Sequence, residues 1–563
     1  MHSISRRRNP VETWASYAVG VNEAVQVRLT LLDELLAEQR RLTAVEQFDR
    51  ACEAAPDRKA AVYRARMPAA APQPGEQYAF EVDLDGCSGC KACVTACHSL
   101  NGLDEGEAWR SVGLLAGGSE LPVYQHVTTA CHHCAEPGCM DGCPVQAYEK
   151  DPDTGIVRHL DDQCIGCGYC IFTCAYEVPQ MDRARGIVRK CDMCHDRLAA
   201  GEAPACVQGC PTQAIRIAIV DLDDVAGPGD AWPFPAPDPV HSRPSTVYRT
   251  QRDLTTGVEP ADLHALQPRH AHHPLAVMLV LTQVAVGTHV VDVLAGTARG
   301  GTGGSPAAGA VLALVTALVA LGASLLHLGR PQYAWRAVLG LRRSWISREI
   351  VAFAGFAGLT TLDATARLGI VAVPGTPGAL AATASSVGLA GVACSVMIYA
   401  VTHRRWWRLR WTGPRFALTT LLGGSSAVLA TLAVVGAAGG AGGDLGVMRA
   451  LALAVTAATA GKLAVDLGVL LAARGPATSE IARTARLLRG ALRVSTRWRV
   501  ILAVAGGMVA PHWALALAGG HVRQPLEAAL VAGLALALVV AGELVERWQF
   551  FTAVAPVRMP GSR

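Results

Sequence analysis

Two hydrophobic patterns divide the chain. From Pro274 onward, apolar residues run in stretches long enough to cross a bilayer, which takes about 20 helical residues for roughly 30 Å. Eight such stretches occur, at 274–296, 306–328, 349–368, 379–402, 416–437, 447–472, 500–519 and 525–548. They are apolar all round, which a soluble bundle does not tolerate. Small residues crowd them, as in LLGGSSAVLATLAVVGAAGG, and let helices approach closely. Near the N-terminus the pattern is amphipathic instead. In AVQVRLTLLDELLAEQRRLTAVEQF, apolar residues recur at three- and four-residue spacing, which predicts a helix that docks on its neighbour. Residues 223–273 are rich in Pro, Asp and His without periodicity and read as an extended connector. Its end, HALQPRHAHHP, reads as a solvated approach to the membrane rather than a metal site. The expected organisation is an N-terminal helical extension (1–75), a compact region (76–222), the linker (223–273), a membrane bundle (274–550) and a C-terminal tail (551–563).

Composition agrees with a membrane protein carrying a soluble part: 51% of residues are hydrophobic and only 17% charged. A formal net charge of +4 over 563 residues gives no support to nucleic-acid binding. The arginine run in MHSISRRRNPVETWASYAVG is not followed by an apolar stretch of the length an export signal needs.

The cysteines carry the chemistry. Of 18, all but Cys52 and Cys394 lie between Cys87 and Cys210, in four groups of four. CSGCKACVTAC holds Cys87, Cys90, Cys93 and Cys97. CHHCAEPGCMDGC holds Cys131, Cys134, Cys139 and Cys143. CIGCGYCIFTC holds Cys164, Cys167, Cys170 and Cys174. The fourth group, Cys191, Cys194, Cys206 and Cys210, has an eleven-residue insertion at its centre. The spacing C-x2-C-x2-C-x3-C is the bacterial ferredoxin run, whose fourth cysteine reaches the other cluster of a pair. Zinc usually arrives as two separated pairs, so a third and fourth cysteine in one run are surplus to it. A disulfide scaffold would leave no sensible pairing among so many near neighbours. Sixteen thiolates suit four [4Fe–4S] clusters. With that count complete, His132 and His133 are expected beside ligands or in solvent. Spacing shows that fourth cysteines can cross between motifs, and leaves open which motifs are partners.

On the residues ACHHCAEPGCMDGCP, DDQCIGCGYC and KCDMCHDR…PACVQGCP, the cysteine region resembles the electron-transfer subunit of the DMSO-reductase type of molybdoenzymes. On LLHLGRPQYAWRAVLGLRRSWISREI and GELVERWQFF, the membrane region resembles the anchor subunit of the same enzymes. The fold this implies is an α+β, ferredoxin-like double dicluster domain fused to an all-α, eight-helix transmembrane bundle. The resemblance also implies the wiring, pairing the first motif with the fourth and the second with the third. Cys87, Cys90, Cys93 and Cys210 would hold one cluster, and Cys191, Cys194, Cys206 and Cys97 its partner. Cys131, Cys134, Cys139 and Cys174 would hold a third, and Cys164, Cys167, Cys170 and Cys143 the fourth. It further implies quinol oxidation, with the HLG histidine and the following glutamate matching His327 and Glu349.

Ionisable groups at the membrane edge point the same way. His327, Arg330, Arg348, Glu349 and Glu543 all lie toward one face, where His327 and Glu349 could take quinol protons and Arg330, Arg348 and Glu543 would stand nearby. Lys462 and Asp466, four apart on one helix, are expected to pair with each other. His289, Asp292 and Asp363 fall toward the opposite face. Three loops, after the second, fourth and sixth stretches, carry 5, 5 and 7 arginines, whereas the opposite loops show Arg299, Arg367, Arg449 and Arg523. Positive loops stay cytoplasmic, so the cluster domain is expected on the cytoplasmic side of a bacterial inner membrane.

The function expected is that of an electron-transfer and anchor subunit. It would pass electrons from menaquinol or ubiquinol, drawn from the lipid-borne quinone pool, to a separate molybdopterin-containing catalytic subunit. No stretch of this chain is left over for a molybdopterin domain. Sulfoxide, N-oxide, nitrate and polysulfide reduction all remain open for that partner. The alternative is reverse flow, from a formate- or sulfur-compound-oxidising partner to quinone. A membrane-bound redox sensor would need fewer clusters than four.

Overall fold

The structure is a computed structural model. It describes residues 30–41, 46, 50, 54, 65–117, 122–226, 232, 235–252, 254, 257–299, 307–372, 377–439, 444–520 and 524–561. Helix α1 (Leu31–Arg41) realises the amphipathic pattern over those residues. The rest of that predicted helix lies almost wholly outside the described residues, as does Arg523. Residues 1–65 form one unit and 66–563 the other.

The cysteine region is built on two small sheets. Strand β1 (Glu76–Asp83) precedes α2 (Ala92–Leu100), β2 (Ser111–Gly117) and β3 (Val123–Thr129). Then come α3 (Gly138–Asp141), the hairpin β4 (Tyr148–Lys150) and β5 (Val157–His159), and α4 (Tyr169–Thr173). A second hairpin, β6 (Gln180–Asp182) and β7 (Ile187–Arg189), leads to α5 (His195–Ala199), α6 (Ala205–Gln208) and β8 (Ile215–Asp221). The connector supplies β9 (Val247–Arg249) and β10 (Val258–Pro260). The first sheet has the order β8-β1-β9, with β1 antiparallel to β8 (Glu76 opposite Asp221) and parallel to β9. The second has the order β10-β2-β3. The connector therefore does more than cross the surface: it adds one edge strand to each sheet.

Among the described residues, eight long helical segments follow. The first six are α7 (His273–Ala298), α8 (Ala308–Leu325), α9 (Trp345–Arg367), α10 (Pro377–Ala400), α11 (Leu409–Ala437) and α12 (Leu445–Leu471). After the amphipathic α13 (Glu480–Arg489), the seventh segment is α14 (Arg493–Val504), a π-turn at Ala505–Val509 and α15 (Ala510–Gly519). Helix α16 (Pro525–Thr552) is the eighth. Seven of these spans are long and apolar enough to cross a membrane. Helix α9 is the exception. It is 23 residues long but carries Arg348 and Glu349 near its start and Asp363 and Arg367 at its end. Leu318, Leu530 and Leu534 are more than half exposed on the bundle surface, as lipid-facing positions require. At the α7–α11 crossing, a Cβ on Gly287 would sit 1.9 Å from the Thr420 carbonyl oxygen, so only glycine permits that backbone approach.

The two halves meet at a seam. The loop after α8 presses backbone to backbone on the third cysteine motif, where Arg330 N donates to the Ile165 carbonyl at 3.0 Å. A Cβ on Gly329 would come within 2.2 Å of the Gly186 carbonyl oxygen. Gly340 N donates to Pro144 O at 2.8 Å, and Ser344 Oγ to Gly142 O at 2.8 Å. An aromatic cluster of Phe172, Tyr399, Trp407, Phe416, Phe550 and Phe551 fills the space beneath.

At its centre stands Glu177, its side chain 6% exposed. Arg269 of the connector binds both its oxygens, at 2.7 and 2.8 Å. Arg404, from the loop after α10, reaches it at 2.7 Å, and Arg558 of the C-terminal segment at 3.2 Å. Burial pushes its carboxyl up, but the guanidinia of Arg404, Arg269 and Arg558 outweigh that and hold it at about 2. A depressed carboxylate contributes stability above its unfolded value of about 4.5, and loses it only as pH falls through the folded value. Seam stability should therefore stay flat from about pH 5.5 to 8. Glu177→Gln leaves three arginines converging on a neutral group. It should cost on the order of 3–5 kcal/mol, seen as a lower melting temperature of the detergent-solubilised chain and faster proteolysis of the connector. An unchanged melt would show that the seam does not depend on this carboxylate.

Candidate functional site

Each cysteine motif is a tight loop that runs into a short helix, and the left-handed residues that make the turns are visible. Gly89, Gly166 and Gly168 have positive φ, as do Lys91 and Cys194. These loops bring the sixteen sulfurs into four groups. Cys87, Cys90, Cys93 and Cys210 line one cavity. Cys97, Cys191, Cys194 and Cys206 line a second with Arg110, and Cys131, Cys134, Cys139 and Cys174 a third with Lys190. Cys143, Cys164, Cys167 and Cys170 share one core, where each of the other three thiols acts on Cys170. In every group three sulfurs come from one motif and the fourth crosses from another.

The groups form a series. Tyr148, whose hydroxyl is acted on by Cys170, Cys139 and Cys143, stands between the Cys143 and Cys131 groups. Cys191 lies in electrostatic reach of Cys131, and Cys93 of Cys206, which ties the Cys131, Cys97 and Cys87 groups in turn. The Cys143 group abuts the membrane loop, with Leu328, Tyr333 and Ala337 in its core. At the other end Cys90 is exposed.

The donor sets suit a cationic cluster. Among the described residues every cysteine is a free thiol. Burial, then the neighbouring thiols, pushes Cys97 and Cys167 up to about 12 and Cys174 to about 11, so thiolates form there only when a metal offsets them. Backbone N–H groups already point at sulfur: Ala147 N to Cys143 Sγ at 3.2 Å, and Gly166 N to Cys164 Sγ and Met193 N to Cys191 Sγ at 3.4 Å. Such bonds are one of the levers on iron–sulfur potential. His132 and His133 are buried rather than solvated, at 2% and 0% exposed. His133 Nδ1 accepts from Val157 N at 3.1 Å. Burial, with Arg110 adding to it, brings His132 down to about 3, so its ring is neutral.

At the membrane end, His327 sits just past α8, half-buried, with Nε2 3.0 Å from the Cys167 carbonyl oxygen. Burial lowers its basicity. A neutral ring facing a carbonyl carries its proton on Nε2, which leaves Nδ1 an acceptor. Its ring meets His272 edge-on at 5.4 Å, and His272 packs on Phe172 and Phe551. The histidine-rich end of the connector thus supplies a ring, with burial bringing His272 to about 3. Glu349 is buried in α9 and accepts from Ser395 Oγ of α10. It lies close enough to act on Tyr169, whose hydroxyl donates to Ile398 O at 2.5 Å. His327 and Glu349 therefore flank the same short helix α4, and among the described residues no hydrogen bond joins them.

The structure commits the other edge residues elsewhere. Arg330 donates to Asp161 O and Arg185 O, bracing the loop on the cluster domain. Arg348 closes its own loop through Leu341 O and Arg342 O. Glu543 is fully buried, bound by Lys462 and Thr419 and 3.2 Å from Arg499. Lys462 and Asp466 do not pair as expected. Lys462 turns to Glu543 and Glu546, and Asp466 to Arg415 and Arg499, because α11, α14 and α16 offer nearer partners than the same helix. His289, Asp292 and Asp363 do converge. His289 bonds Asp363 at 3.2 Å and Ser385 at 3.0 Å, and Arg367 pairs with both aspartates. Sequence reasoning missed Glu177, Arg110, Tyr169 and His272, whose roles depend on partners far along the chain. If the crossed grouping holds metal, Cys97→Ser should alter the centre bound by Cys191, Cys194 and Cys206 while Cys87, Cys90 and Cys93 keep theirs. Electron paramagnetic resonance of the reduced protein distinguishes this from loss of the Cys87 centre.

Residues 123–219 match a family described as 4Fe-4S dicluster domain, and residues 269–553 match DMSO reductase anchor subunit (DmsC). The chain is 36% identical over 157 residues to the B subunit of the anaerobic dimethyl sulfoxide reductase of Haemophilus influenzae, covering 26% of this chain and 76% of that protein. It is 37% identical over 153 residues to the thiosulfate reductase electron transfer subunit PhsB of Salmonella typhi, covering 26% and 79%. It is 33% identical over 159 residues to the formate dehydrogenase-O iron-sulfur subunit of Escherichia coli K12, covering 25% and 53%.

Proposed function

Because this chain belongs to the DMSO reductase anchor subunit family, with an iron–sulfur electron-transfer domain fused ahead of the anchor, we propose that it draws electrons from quinol in the membrane and delivers them to a separate molybdopterin-containing subunit. The observation that carries this is the His327–Cys167 hydrogen bond, which ties a membrane-edge histidine to the cysteine group nearest the bilayer. Loaded with [4Fe–4S] clusters, the four groups would supply one-electron stations from the membrane loop to Cys90. The sixteen ligands fall as Cys87, Cys90, Cys93 and Cys210; Cys97, Cys191, Cys194 and Cys206; Cys131, Cys134, Cys139 and Cys174; and Cys143, Cys164, Cys167 and Cys170. Exposed Cys90, with Lys91 beside it, marks the face on which the catalytic subunit docks.

Oxidation of one quinol releases two electrons and two protons. His327 Nδ1 takes one proton, and Glu349, on the other flank of α4, is placed for the second. Phe172, His272 and Phe551 give the quinol ring an aromatic wall. The arginine loops and the cluster domain lie on one side, since Arg330, Arg336, Arg404 and Arg483 all bind it, the connector or the tail. With those four set aside, the remaining loop arginines still outnumber the opposite ones, so the cluster domain faces the cytoplasm. A second reading, favoured by the formate dehydrogenase-O relative, runs the same path backwards, with His327 and Glu349 protonating quinone.

His327→Ala should slow quinol-dependent reduction by about 10²-fold and leave dithionite reduction and iron content intact, because no ligand is lost. Normal quinol turnover in this variant would remove His327 from the site. Added protease should clip the cluster domain in inside-out vesicles and spare it in right-side-out ones. The opposite result would overturn the orientation.

A further inference from the structure

Two cations are buried inside the cysteine domain without an ion-paired carboxylate to balance them. Arg110 is 2% exposed. Its Nη1 donates to Thr128 Oγ1 at 3.2 Å, its guanidinium lies 4.6 Å over the Phe80 ring, and Nε and Nη2 have no hydrogen-bond partner. It lines the cavity of Cys97, Cys191, Cys194 and Cys206. The same Thr128 hydroxyl stands 3.6 Å from Cys93 Sγ, so Arg110 also touches the Cys87 group through one side chain. Lys190 is 3% exposed. Its ammonium is spent on Val157 O, on Cys191 O at 2.8 Å and on Cys131 Sγ at 3.7 Å. It therefore bridges the Cys131 and Cys97 groups. Tyr148, between the Cys143 and Cys131 groups, offers only a neutral hydroxyl, buried against the Cys170 thiol.

The placement is ordered. The junction nearest the membrane has a hydroxyl, and His159, which acts on Cys164 of the Cys143 group, is balanced by Asp161 at 2.7 Å; each of the next two junctions has a full positive charge with no carboxylate paired to it. Taking a charge out of water is costly unless opposite charge lies beside it. Neither cation forms an ion pair with a carboxylate among the described residues, and the nearest groups that can carry negative charge are thiols, with Asp192 a weaker influence on Lys190 than Cys131, Cys139 or Cys191. A reduced centre ringed by four thiolates carries more negative charge than an oxidised one. A fixed cation alongside therefore favours the reduced form, and acts strongly because the site is dry.

We propose that Arg110 and Lys190 are potential-setting residues that make the Cys97 group, flanked by both, the preferred resting place of an electron in the relay. The inference rests on the proposed reading of the four groups as cluster sites. It grades the path: an electron entering at the Cys143 group moves downhill to the Cys97 group, one station short of the exposed end. Each step is a one-electron reduction of one centre and oxidation of its neighbour, with no proton needed, because both cations hold their charge throughout. The grading gives the membrane-to-edge direction a physical basis in the chain itself.

The test is a redox titration of the full-length, anaerobically purified protein, followed by electron paramagnetic resonance, for wild type, Arg110→Gln, Arg110→Lys and Lys190→Met. Each charge-removing variant should disfavour reduction of one inner centre at least tenfold, a drop of about 59 mV for a one-electron couple, with iron content unchanged. Arg110→Lys should stay within about threefold of wild type, since the charge that acts on the centre is kept. Full iron content with unchanged potentials in both Arg110→Gln and Lys190→Met overturns the proposal, as does an equal shift in Arg110→Lys. Should Arg110→Gln lose a centre, its retention in Arg110→Lys supports the need for charge. Loss in both overturns that need in favour of shape. A wild type without iron–sulfur absorption sinks the cluster reading itself, a failure separate from unchanged potentials in an iron-replete variant.

Discussion

One buried carboxylate holds the molecule together. Glu177 lies three residues past the last cysteine of the third motif, in a left-handed turn, and receives arginines from the connector, a membrane loop and the C-terminal segment. Four separate stretches of chain are fixed to one point. The geometry tolerates only an ionised acid there, since three guanidinia packed without it would repel one another in a medium that screens poorly. The position of the Cys143 group over the membrane edge follows from this. Once the seam is closed, Gly329 can press on the Gly166 and Gly186 backbones, and His327 is delivered to the Cys167 carbonyl.

The same economy of charge recurs in both halves. In the bundle, Arg415, Lys462, Arg499 and Arg547 face Asp466, Glu543 and Glu546 across α11, α12, α14 and α16. Toward the other end, Arg367 and His289 face Asp292 and Asp363. Both sets join helices that carry little other polar surface, so they fix which helices are neighbours where apolar contact alone is indifferent. In the cysteine domain the arrangement differs. Arg110 and Lys190 are set against sulfur, whereas the buried Glu107 and Asp182 pair with Arg189.

The membrane helices and the cysteine groups meet at α4. One flank of this five-residue helix carries Tyr169 toward Glu349, and the other carries Phe172 toward His272 and His327, while Cys170 within it belongs to the Cys143 group. The two groups proposed to accept protons thus lie on either side of the short element that also carries one of the nearest sulfurs. A small movement of α4 would be felt on both sides at once.

The class of fold was written in the sequence. All-round apolar stretches cannot stay in water, and ferredoxin-spaced cysteines select one kind of ligand chemistry. Those are local properties, and eight long helices and tight cysteine loops formed where they were expected. The sequence also singled out the cysteines, His327 and Glu349 as candidates, and the structure brings the cysteines into four groups. It could not say that the connector would lend a strand to each sheet, because three-residue strands leave no periodicity to read. Nor could it say that α9 would fall short of the apolarity of the other long helices yet remain in the bundle. Helical spacing paired Lys462 with Asp466, and the folded bundle gave each a closer partner on another helix. Which fourth cysteine joins which motif, what Glu177 binds, and where Arg110 and Lys190 lie are all decided by contacts across scores of residues. Charge in a dry interior responds to whatever surrounds it in three dimensions, and only the tertiary structure supplies those surroundings.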